Sequence, residues 1–164
     1  MATAYSARDW TALFAASGGA SAALTGLLFV AVSVNIERIL EVAGLPERAL
    51  QTLLMLLSAV IISLLVLIPG QSPAALGVEL LVAAVASGVA LGRLLVTSEP
   101  ALRQYSPTGV QVAIVLPGTL LFVIGALSLL TGTGGGLYWI VGGIIASIVG
   151  ASANAWVLLV EILR

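Results

Sequence analysis

Residues 52–68 read TLLMLLSAVIISLLVLI, a run without a charge, a proline or a glycine. At 1.5 Å per residue it covers most of the roughly 30 Å of hydrocarbon in a bilayer, so it reads as a membrane-spanning helix. Four more runs of this kind flank it. One precedes it, from about Trp10 to Ile36, and three follow, from about Ala75 to Val96, Gly109 to Leu130 and Tyr138 to Val160. The segments between them, 37–51, 69–74, 97–108 and 131–137, hold the prolines, glycines and charges that mark turns. The expectation is one all-α transmembrane domain over residues 1–164, built as a bundle of about five helices. The first run is too long, and its basic flank too slight, for a cleaved signal peptide.

Composition supports this reading. Of 164 residues, 60% are hydrophobic and 8% charged, where soluble domains average about 45–50% and about 25%. The six basic residues are all arginine, namely Arg8, Arg38, Arg48, Arg93, Arg103 and Arg164, and the chain has neither cysteine nor histidine. Disulfides, thiolate chemistry, imidazole bases and nearly all transition-metal and haem ligand sets are thereby excluded. No metal, no cofactor and no enzymatic activity are expected. With so little basic surface, a nucleic-acid partner is not expected either.

Orientation follows from the arginines, which collect on cytoplasmic loops. Five spans put Arg8 on one face and the other five arginines on the opposite one, predicting an N-terminus outside and a cytoplasmic C-terminus. Such a bias argues against dual topology. Tyr5, Trp10, Tyr138 and Trp139 mark the outer interface, with Tyr105 and Trp156 toward the inner one.

Helices in lipid associate through small residues and interhelical hydrogen bonds. Gly18, Ala22 and Gly26 recur every fourth residue on the first span, as do Gly88 and Gly92 on the third and Gly142, Ala146 and Gly150 on the fifth. These rows are contact faces, either within the chain or between subunits. Pro117 interrupts the fourth span and frees the carbonyl of Ala113. With Gly118 beside it, this is a kink or a gate.

Polar groups inside the spans carry the functional candidates. Glu79 lies about one turn into the third span, near Gln71, and is placed to bind a cation, relay a proton or simply reach water. Arg93, near the inner end of that span, can snorkel to the head groups. Ser17, Ser21 and Thr25 form a row that would line a polar path or bond back to their own helix. Asn35 and Asn154 are candidates for an interhelical hydrogen bond or a solute contact. The 37–51 segment mixes Glu37, Glu41 and Glu47 with Arg38 and Arg48 and reads as a solvated, self-neutralising connector or a site of partner docking, in which Pro46 is placed to begin the next helix. Gly132, Gly134, Gly135 and Gly136 lack the spacing and the lysine of a phosphate loop.

Four segments, 22–35 (AALTGLLFVAVSVN), 45–49 (LPERA), 69–71 (PGQ) and 77–81 (GVELL), resemble a family of small multi-pass membrane proteins of high-GC bacteria labelled modulators of the membrane protease FtsH. The resemblance covers roughly the first half of the chain. It implies a bacterial inner-membrane location and brings no catalytic or binding residue with it. Three functions stand open at this point. The first is a homo-oligomeric channel or transport pathway for a small ion or solute. The second is an accessory or regulatory subunit bound to another membrane protein such as a membrane protease, and the third is a lipid-binding membrane protein.

Overall fold

The computed structural model describes residues 2–42, 44–97 and 108–163, and the described residues are helical with no β-strand. Arg103, Tyr105 and Arg164, which entered the orientation argument, lie outside them. Two 3-10 turns, Ala2–Tyr5 and Ala7–Trp10, lead into α1 (Thr11–Val34), followed by α2 (Ile36–Glu41), α3 (Leu45–Leu67), α4 (Pro73–Thr97), α5 (Thr108–Thr131) and α6 (Leu137–Leu163). Five of these helices are long and apolar enough to cross a membrane, and the protein is a polytopic membrane protein.

The helix breaks have local causes. The first span was expected to run unbroken to Ile36, but α1 stops at Val34. Asn35 there takes φ −109° and ψ 18°, and its Nδ2 donates back to the Ala31 carbonyl at 2.9 Å. A side chain that bonds to its own helix competes with the backbone ladder and ends it. Gly44, at φ 84°, then turns the chain into α3, with Pro46 in the first turn. This helix begins at Leu45 and not near Thr52, so part of the expected connector is helical. The buried group Ile39, Leu45, Ala49 and Leu158 explains why: the extra turns of α3 are covered by α2 and α6. Ser72 Oγ accepts the Ala75 amide at 3.1 Å at the start of α4.

Helices α3, α4, α5 and α6 form a closed ring in which α3 and α5 each pack against both α4 and α6. Helix α1 lies outside the ring, against α3. Half of the most apolar stretch of α3 is inside the protein, against 17% for α1. Phe14, Ile62, Leu80, Phe122 and Ile140 fill the core of the half that carries Trp10, Tyr138 and Trp139, called here the aromatic end. Met55, Leu91 and Val115 fill the half toward Arg38, Arg48 and Arg93, the arginine end. Large apolar side chains such as Phe29, Leu64, Val82, Leu120 and Val149 point outward from every long helix, as a lipid-facing surface requires.

Glycine sets the helix spacing. A Cβ at Gly143 would meet the Phe122 ring and lie 3.2 Å from the Gly118 carbonyl, and one at Gly150 would lie 2.9 Å from the Ile114 carbonyl. Around Gly26 and Gly92 there is nothing within 4 Å. Thermal unfolding in detergent should therefore show Gly143→Val losing about 1–3 kcal/mol through overpacking, while Gly26→Ala holds or gains stability through its better helix propensity. Equal effects at the two sites would contradict this packing.

Candidate functional site

A groove of about 490 Å³ lies between α1 and α6, floored by α3. Leu24, Leu28 and Val32 form one wall, Ala151, Ala155 and Leu159 the other, and Thr52 and Leu56 lie beneath. Its volume falls in the range of roughly 300–1,000 Å³ typical of ligand sites. From Leu24 to Asn35 it runs about 16 Å along α1, or about half the hydrocarbon thickness of a bilayer. Its polar side chains, Asn35, Thr52 and Ser152, lie toward the arginine end, as does Trp156. With the Nδ2 of Asn35 committed to Ala31, the amide oxygen is left as an acceptor at the rim.

The groove exists because α1 touches α6 little along its length while both of its ends are tied down. At the aromatic end, Trp10 meets Tyr138 edge to face, with ring centroids 4.6 Å apart and planes at 89°. The Gly135 amide donates to Tyr5 Oη at 3.0 Å, and Trp139 Nε1 donates to the Gly134 carbonyl at 2.6 Å. The four glycines of this loop all have positive φ, from 48° at Gly136 to 107° at Gly135, so the sharp turn there needs glycine. Ser128 Oγ accepts the Gly136 amide at 2.8 Å and donates to the Thr133 carbonyl. At the arginine end, α2 buries Ile39 against Leu45, Ala49 and Leu158.

The other residues singled out in the sequence fall into place as follows. Ser17 shares a hydrogen bond with Ser63 of α3 at 3.5 Å, Ser21 is fully buried, and Thr25 donates to the Ser21 carbonyl at 2.7 Å. Ser17 and Ser21 thus belong to the α1–α3 contact. Gln71 Nε2 donates to Glu79 Oε2 at 2.5 Å, bringing these two together at the half-buried start of α4. Arg93 is exposed on α4, and Pro117 is exposed on α5. Gly118 is buried, where a Cβ would lie 2.6 Å from Ser147 Oγ of α6.

Among the small-residue rows, Gly18 packs on Ser63, Gly88 on Thr119, Gly142 on Leu121 and Gly150 on Met55. Ala146 is half-buried, whereas Ala22 and Gly26 are exposed. The row on α1 is therefore a contact face within the chain only at Gly18.

Asn154 is 2% exposed, with Nδ2 unpartnered. One turn toward the arginine end from the Gly150, Met55 and Ile114 contact, it stands level with buried Gln51 and Gln111. Sequence reading passed over these two amides, and also Thr52 and Ser152 of the groove. The spacing of four between Gln51 and Met55, and the two-residue interval from Ser152 to Asn154, are their only traces in the sequence.

Among the described residues no group of three or more acidic side chains is placed to hold a metal. The chemistry on offer is apolar contact and neutral hydrogen bonding. No family model matches the chain, and no curated protein or solved structure matches it either. The functional reading therefore rests on the groove.

Removing the ring contact at the aromatic end tests the tie. Trp10→Ala should cost the edge-to-face term of about 0.5–1.5 kcal/mol beyond the lost burial. It should also speed proteolytic release of the segment before α1. Unchanged proteolysis would show that the Trp10–Tyr138 contact does not hold this end of α1.

Proposed function

We propose that the protein is a non-enzymatic lipid-binding membrane protein whose α1–α6 groove holds the chain of one amphiphile. The observation that carries this is the match between the groove and a single leaflet. Its apolar walls run from the membrane middle to the interface, and its polar side chains cluster at the interfacial end. A lipid lying there keeps its chain against Leu28, Val32 and Ala155 and its head group beside Asn35. The acceptor oxygen of Asn35, with the exposed carboxylates Glu37 and Glu41 nearby in sequence, favours a head group that donates hydrogen bonds and carries a positive charge, such as an ammonium. The arginine bias supports a cytoplasmic arginine end, so the lipid would come from the inner leaflet. The family resemblance supports a bacterial inner membrane.

Native mass spectrometry of the protein released from mixed phosphatidylethanolamine and phosphatidylglycerol vesicles tests this. The wild type should retain one lipid, preferentially phosphatidylethanolamine. Ala31→Trp and Ala155→Trp, which fill the groove, should lose it, while Val82→Trp on the far surface of α4 should not. Retention in both groove variants would defeat the reading.

A second reading is favoured by the exposed Ala22 and Gly26. They make α1 a docking face for a second copy or for another membrane protein such as a membrane protease. A pathway for an ion or solute belongs to this reading, because apolar side chains fill the core of the single bundle and only an assembly would enclose a conduit. The cysteine-free chain makes the test simple: Gly26→Cys should form disulfide-linked dimers in native membranes if two copies meet there, and Val82→Cys should not. Absence of the cross-link at Gly26 removes the symmetric dimer.

A further inference from the structure

A second void lies at the centre of the four-helix ring, away from the groove. Ser58 of α3, Ser87 of α4, Thr119 of α5 and Ser147 of α6 line it, one hydroxyl side chain from each helix. Leu91 and Val115 close it toward the arginine end and Phe122 toward the aromatic end. Each of the four stands within about one turn of the middle of its helix, which puts the void near the bilayer midplane. Small neighbours bring the helices together at this level. A Cβ at Gly88 would lie 2.8 Å from Thr119 Cγ2, and one at Gly118 would lie 2.6 Å from Ser147 Oγ.

The hydroxyl protons decide what fits. Ser58 donates to the Leu54 carbonyl at 2.6 Å, Ser87 to the Ala83 carbonyl at 2.8 Å and Thr119 to the Val115 carbonyl at 3.4 Å. These three protons are committed to their own helices, which leaves oxygen lone pairs as acceptors. A ligand that meets these three oxygens must therefore be a donor. The void is about 10 Å³, on the scale of a single water. No ionisable side chain lines the void, so a cation would lose its hydration in a low-dielectric site without a counter-charge, at a prohibitive cost.

We propose that the four hydroxyls form a binding site for a single water molecule in the middle of the membrane. The water donates its two protons to two of the hydroxyl oxygens, and so joins helices, three of whose hydroxyls otherwise bond only within their own turns.

Magnetisation transfer from water, read by NMR on the full chain in lipid nanodiscs, tests this. Transfer should reach the Thr119 methyl and stay absent at the methyls of Ala84 and Ala126, which are fully buried nearby in the core. In the Ser87→Ala, Ser147→Ala double variant it should fall to the level of those alanines. No transfer to Thr119 in the wild type would overturn the proposal without any variant. So would a xenon-induced shift at that methyl, the mark of a dry void, or a sodium-dependent one, the mark of a cation.

Discussion

Apolar side chains gain little by leaving lipid for one another, so a helix is held in this protein only where backbones approach closely or polar groups meet. Helices α5 and α6 meet this condition along their whole length, at Gly125 against Ile140, at Gly118 against Ser147, and at Gly150 against Ile114. Helices α4 and α5 meet it at Gly77 and Gly88. Helix α1 meets it at Gly18, packed on Ser63, while Gly19 and Gly26 have no neighbour within 4 Å. The ring closes where glycine lets it, and α1 stands apart where nothing draws it in.

That difference creates the groove. A helix fastened along one side to α3, tied by Trp10 and Tyr5 at one end and by α2 at the other, leaves a gap toward α6 that its own side chains do not fill. The gap faces lipid, and its polar end coincides with the end where head groups would lie. The ring core is apolar apart from the central hydroxyls, the amides near Asn154, buried Arg48 at the arginine end, and Ser63 and Ser128 toward the aromatic end. The proposed lipid site thus lies at the lipid-facing side of the bundle and not in its middle.

Much of the fold was legible in the sequence because the bilayer imposes a length and a composition that one chain displays openly. The runs from 52, 75, 109 and 138 became α3 to α6 with boundaries moved by a few residues, except at Leu45. There Pro46 announced a helix start, but the cover that α2 and Leu158 give to the extra turns is a tertiary fact. Glycine spacing was a weaker guide. Gly18, Ala22 and Gly26 look alike in sequence, and only the first is buried. The groove could not be read at all, since it is made by an absence of contact between α1 and α6. The central hydroxyls left no repeat either, because each sits on a different helix and only the register of the ring brings them to one level.

Photo-crosslinking addresses the central claim most directly. With a phosphatidylethanolamine bearing a photoreactive acyl chain, irradiated in membranes and mapped by peptide mass spectrometry, the labels should concentrate on residues 24–32 of α1 and 151–159 of α6. Labelling spread evenly over the lipid-facing side chains, with Val82, Leu120 and Val149 modified as often as Leu28 and Ala155, would contradict a lipid site in the groove.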